Sequence, residues 1–174
     1  MSTWARPQLV LILGKRGTGK STWARALRRR IEATGHPTVV RDPLGEYGPG
    51  TGPVLRGTSS EEAARTAREL ARRTRRVVWL FLEEIDSDVG RQRLDETSQL
   101  RHVIHYGRHM DVGLIAVARR PANVHPDLRN LADVVYIGRL TGDRDLAWVE
   151  EWQGKRLAEQ VREAPVGRFL RVEP

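Results

Sequence analysis

The sequence predicts an α/β fold, a three-layer sandwich in which helices cover both faces of a mainly parallel sheet. Three observations predict it. The apolar runs Gln8 to Leu13, Val77 to Leu82 and Val112 to Ala118 are too short for membrane spans and lack alternation, as strands buried on both faces do. Stretches with apolar residues at helical spacing lie between them. A glycine-rich loop joins the first run directly to the first helix.

That loop, Gly14-Lys15-Arg16-Gly17-Thr18-Gly19-Lys20-Ser21, fits the phosphate-binding pattern G-x-x-x-x-G-K-[ST] at every fixed position. The glycines let backbone N–H groups wrap phosphates, and the helix N-terminus adds partial positive charge. Lys20 is expected to reach the terminal phosphates of ATP and Ser21 to ligate Mg2+, with Thr22 completing the cofactor-binding segment. After it, Trp23, Leu27 and Ile31 recur every four residues until Gly35 and Pro37 stop the helix. The fold class is therefore that of a P-loop NTPase.

A length of 174 residues with 39% hydrophobic content suits one motor domain over 1–174. The net charge of +8 indicates an acidic partner, most simply nucleic acid, or plain solubility. Lys15, Lys20 and Lys155 are the only lysines. Arginine favours planar, bidentate phosphate contacts, and the same bias follows from a GC-rich genome or a hot habitat. With no cysteine, disulfides, thiol chemistry and cysteine metal sites are excluded. No signal peptide or membrane segment is read, so a cytoplasmic setting is expected.

In chain order, Met1 to Pro7 is a polar lead. Thr38 to Arg41 is a brief strand, closed by Asp42-Pro43-Leu44-Gly45-Glu46-Tyr47 at the C-terminal edge of the sheet, where ligands of open α/β sheets bind. Asp42 and Glu46 either face the nucleotide or polymer, or belong to a plain Pro-Gly turn. Gly48 to Gly57 reads as a loop. Ser59-Ser60-Glu61-Glu62 is a capping box for a helix faced by Ala63, Ala67, Leu70 and Ala71. Its C-terminal arginines, Arg72, Arg73, Arg75 and Arg76, suit either the helix dipole or DNA.

The run Val77 to Leu82 leads straight into Glu83-Glu84, and a buried strand ending in paired acids is the second half of a P-loop ATPase site. Glu83 is expected to hold the magnesium shell and Glu84 to orient and polarise the attacking water. The usual first acid is Asp; the longer Glu83 would act through a metal-bound water, with Asp86 as a substitute. Ser87 to Glu96 reads as a loop near the active edge. Leu100, Val103 and Ile104 mark a helix ending near Gly107. His102, His105 and His109 share helical spacings in it, but no neighbouring Cys or acid completes a ligand set. Val112 to Ala118 is a strand ending at Arg119, in the place of a sensor of the terminal phosphate. Asn123 to Leu131 is helical or turn, Val134 to Ile137 a strand, Asp143 onward a helix with Leu146, Val149 and Trp152 inward, and Gly167 to Val172 a closing strand.

Taken together the segments resemble the FtsK/HerA superfamily of DNA-translocating ATPases. The resemblance rests on the loop Gly14 to Ser21, on Val40-Arg41-Asp42-Pro43-Leu44-Gly45-Glu46-Tyr47, on Leu80-Phe81-Leu82-Glu83-Glu84, and on the long stretch Tyr106 to Val124. It implies the ASCE, RecA-like form of the fold, with an extra strand between loop strand and acid strand. Where the family usually carries Gln as sensor this chain has Arg119. The resemblance further implies a homo-oligomeric ring, commonly a hexamer, each site completed by an arginine of the next subunit. Arg108 and Arg129 are the candidates for that finger.

A bare motor core without the barrel of cellular HerA proteins or the membrane part of FtsK is expected, similar to the packaging ATPases of viruses and phages or to small mobile-element relatives. That likeness implies double-stranded DNA as substrate and, for a viral member, a capsid or portal partner and a place in host cytoplasm or virion. Two other readings stay open from the residues: a small metabolite kinase sharing the P-loop, and a nucleotide-switched DNA-binding module without turnover.

Overall fold

The computed structural model describes residues 3–89 and 94–174. Seven strands form one sheet: β1 (Leu9–Leu13), β2 (Thr38–Arg41), β3 (Val54–Leu55), β4 (Val78–Leu82), β5 (Val112–Ala118), β6 (Val134–Ile137) and β7 (Leu170–Val172). Their spatial order is β3-β2-β4-β5-β1-β6-β7, all parallel except β7, which runs antiparallel to β6. The sandwich is thus mainly parallel, as predicted. β5 lies between the loop strand β1 and the acid strand β4, so the extra strand stands where the resemblance requires it.

The helices are α1 (Lys20–Ala33), α2 (Ser60–Thr74), α3 (Ile85–Asp88), α4 (Gln99–Tyr106), α5 (Pro126–Asn130), α6 (Asp143–Gln153) and α7 (Lys155–Glu163). One face of the sheet is covered by α1, whose Ala24, Leu27 and Ile31 pack on Val10, Ile12, Trp79 and Phe81. The other is covered by α2, α4, α5, α6 and α7 through Ala67, Ile104, Leu128, Val149 and Val161 among others. β1, β4 and β5 are buried along their whole length, which is why these runs lack alternation.

Local chemistry explains most boundaries. Ser59 caps α2 and Glu62 returns the bond, forming the predicted capping box. Four expectations are refined. The Gly48 to Gly57 loop contains β3, because its main chain pairs with β2 at Val40↔Val54 and Arg41↔Leu55. The loop expected from Ser87 to Glu96 begins inside α3, and its residues 90–93 lie outside the described residues. The polar lead carries a short 3-10 turn, Thr3–Ala5. The helix after Gly142 is two, broken at Gly154, whose φ of 87° suits glycine. Leu146 and Val149 face inward as predicted; Trp152 is half-buried and stacks on Trp148.

Candidate nucleotide site

Parallel strands leave all their carboxyl ends on one edge, about 4.8 Å apart from strand to strand. β1, β5 and β4 are consecutive, so the segments that leave their ends fall on one short line: the glycine loop, then Arg119, then Glu83-Glu84. A cleft of about 630 Å³ opens there, lined by Gly17, Gly19, Lys20, Ser21 and Thr22 on one side and by Glu83, Glu84 and Arg119 on the other. Arg16, Arg25, Leu44 and Glu46 also line it.

The loop is held from below. Lys15 N–H donates to Arg139 O, Thr18 Oγ1 donates to Lys15 O, and Thr18 O accepts from Gly167 N–H. Gly14 must lack a side chain, since a Cβ would stand 2.8 Å from Thr18 Oγ1. Gly19, the N-cap of α1, has φ 88° and supplies no side-chain cap, leaving the first N–H groups of α1 directed at the cleft. Lys20 is buried and its Nζ donates to Lys15 O at 3.0 Å. Burial lowers its pKa, against the nearby carboxylates Glu83 and Asp86. A desolvated ammonium bonded to a main-chain carbonyl, beside uncapped amides, suits a polyphosphate.

Glu83 is 5% exposed and receives the Tyr47 hydroxyl at 2.6 Å on Oε1. Burial pushes its carboxyl up to about 7, against the Tyr47 bond and the Lys20 charge. Glu84 adopts the left-handed backbone, φ 52°, a conformation that costs a non-glycine residue about 1–3 kcal/mol and clusters at functional sites. Its Oε1 lies 3.4 Å from Arg119 Nη1. Asp86 accepts from Arg119 N–H at 3.3 Å and lies 3.9 Å from its Nε, so this acid is Arg119's partner. The Ser21 hydroxyl and the Glu83 carboxylate are hard oxygen donors of the type Mg2+ takes, and both line the same cleft.

Other predicted residues lie elsewhere. Arg108 pairs with Asp133 beside a cavity of about 350 Å³ at the opposite, strand-start edge. The Arg129 guanidinium sits over the Trp148 ring at 5.5 Å. Neither lines the cleft of its own chain. Asp42 is 1% exposed and accepts from the Glu46 and Tyr47 N–H groups; it is the lock of a turn, while Glu46 lines the cleft. His102 Nδ1 meets Ser98 O and His105 Nε2 meets Asp127. No group of three or more potential metal ligands occurs among the described residues.

Sequence reasoning missed the roles of Tyr47, Arg41 and Arg25. Arg41 donates to Glu83 O at 2.7 Å and Arg25 to Glu46 O at 2.9 Å. Only the placement of Tyr47 in the D-P-L-G-E-Y stretch hinted at such a part.

The description "ATPase family associated with various cellular activities (AAA)" fits residues 10–139, three quarters of the chain. No curated protein matches in sequence. Among solved structures, the genome packaging NTPase B204 of Sulfolobus turreted icosahedral virus 2, bound to ATP-gammaS, superposes with a TM-score of 0.83 at 17% identity, over 96% of this chain and 92% of that one. The DNA-packaging ATPase B204 of Sulfolobus turreted icosahedral virus gives 0.81 at 18%, over 97% and 93%. The pCW3 conjugation coupling protein TcpA gives 0.69 at 16%, over 99% of this chain and 59% of that one.

Proposed function

The chain belongs to the AAA family of P-loop ATPases, and from that premise we propose that it is an ATP-driven, Mg2+-requiring translocase of double-stranded DNA of the FtsK/HerA type, packaging a viral genome into a capsid. The observation that carries this reading is the meeting of Lys20, Glu83, Glu84 and Arg119 in one cleft at three adjacent strand ends. The packaging roles of the two B204 proteins, whose fold this chain shares over nearly its whole length, support the choice of substrate.

In this reading Lys20 and the α1 amides bind and neutralise the phosphates. Ser21 and Glu83 would hold the metal, which would supply charge neutralisation at the transferring phosphoryl group. Glu84 orients water and accepts its proton, and Arg119 stabilises charge opposite Lys20. Arg119 contacts Glu84, so a change of partner at Arg119 would free the water-orienting carboxylate. Subunits assemble as a ring, of which a hexamer is the common form. Arg108, two-thirds exposed, and Arg129 are proposed to complete a neighbour's site. Capsid or portal contact belongs to the same proposal.

The contacts of both acids, Glu83 with Tyr47 and Glu84 with Arg119, favour a second reading in which ATP switches an assembly without turnover. One experiment separates them: ATP hydrolysis with and without double-stranded DNA, for the wild type, Glu84→Gln and, as blank, Lys20→Ala. The translocase predicts DNA-stimulated hydrolysis that falls by about 100-fold or more in Glu84→Gln while ATP binding persists. Hydrolysis indifferent to DNA in the wild type overturns it.

A further inference from the structure

We infer that Tyr47 is a positioning residue for Glu83, fixing one oxygen of the buried carboxylate so that the other is presented to the metal side of the cleft. The inference rests on the ATPase reading above and deepens it. Tyr47 is 2% exposed, and its hydroxyl donates to Glu83 Oε1 at 2.6 Å across 36 residues of sequence.

The tyrosine is itself fixed. Asp42 Oδ2 accepts its main-chain N–H at 2.9 Å, Asp42 Oδ1 accepts that of Glu46 at 3.0 Å, and the ring packs in the core under α1. From the same strand end, Arg41 donates to the main-chain carbonyl of Glu83. The exit of β2 therefore grips Glu83 twice, by its carbonyl and by its carboxylate.

The need for such a grip follows from the acid's identity. A glutamate carries one more rotatable bond than an aspartate, so its carboxylate is less defined by the backbone alone. A hydrogen bond at the far end removes that freedom, and catalytic groups require placement within about 0.5 Å. Asp42 and Tyr47, two positions of the D-P-L-G-E-Y stretch, thereby acquire one shared purpose.

Tyr47→Phe removes the hydroxyl and keeps the ring. Binding of a fluorescent ATP analogue is titrated with and without Mg2+, for the wild type and the variant. The expected result is that metal-free affinity is unchanged while the Mg2+ concentration for half-maximal binding rises about tenfold, the scale of a lost hydrogen bond to a charged group. An unchanged Mg2+ requirement, or an equal loss with and without Mg2+, overturns the inference. A wild type that does not bind the analogue at all overturns the ATPase reading instead.

Should Tyr47→Phe not fold, Asp42→Asn, which keeps the tyrosine and loosens its turn, is expected to shift the Mg2+ requirement the same way, and no shift counts against the inference. Independently of any metal, Tyr47→Phe and Glu83→Ala should be non-additive in the unfolding equilibrium, because each removes the same bond. Additivity overturns the coupling.

Discussion

Glu83 carries a cost that its position imposes. Its carboxyl titrates at about 7 in the fold against an ordinary 4.5, chiefly through burial. Between those values the folded chain holds a proton that the unfolded chain has lost, so stability falls as pH rises from 4.5 to 7 and is flat above. The difference is roughly 3 kcal/mol. Glu83→Gln, which cannot ionise, should therefore be more stable than the nucleotide-free wild type at pH 8 and converge on it near pH 4.5. Urea unfolding of both proteins at about pH 5 and about pH 8 checks this; a gap that does not widen with pH refutes it. At this scale the sequence was informative where chemistry is local. Gly14 to Ser21 and the Glu83-Glu84 pair were legible because each follows an apolar run directly. The Tyr47–Glu83 and Arg119–Glu84 contacts were not, since only the pairing of strands brings such distant residues together.

Single elements set how accurately the cleft is built. The glycine loop is seated by the exit of β6, through Arg139, and by the turn before β7, through Gly167. Phe169, from the same turn, stacks on Trp23 of α1 with ring centroids 5.6 Å apart. The short C-terminal stretch thus stabilises the phosphate loop, a role its composition did not announce. In the sheet, Gly113 of β5 stands opposite Trp79 of β4, and a Cβ there would meet the buried indole at 2.6 Å. Gly113→Ala should overpack the core and cost about 1–3 kcal/mol. In a chain of this length that is a fall of about 2–4 °C in Tm per kcal/mol, read by calorimetry. An unchanged Tm would show that the indole can move aside. Because β5 leads directly into Arg119, the same substitution should also lower ATP turnover.

At the scale of the molecule the two sheet edges differ in chemistry. The strand-end edge holds the nucleotide cleft. The strand-start edge gathers the C-termini of α1 and α2, with Arg29, Arg30, Arg72, Arg73, Arg75 and Arg76 all exposed and Arg76 tied to Gly35 O. Helices feeding adjacent parallel strands must end on one edge, so arginines distant in sequence become neighbours. If this edge meets the DNA backbone, replacing Arg72, Arg73 and Arg76 by Ser weakens DNA binding at low salt. The slope of log affinity against log salt becomes shallower by about 0.9 per lost phosphate contact. Filter binding across a salt series checks it, and an unchanged slope places the contacts elsewhere. No described helix is long and apolar enough to cross a membrane.

The fold class, the nucleotide loop and the acid pair are legible in the residues alone, because strand burial, glycine conformation and the strand-to-loop junction are properties of neighbours in the chain. The packing of the whole chain settles which side chains meet in the cleft. It placed Arg119 on Glu84, put Tyr47 on Glu83 and moved Arg108 to the far edge. The reason is that strand order is set by packing of the whole sheet, and a crossover between parallel strands erases any relation between separation in sequence and separation in space.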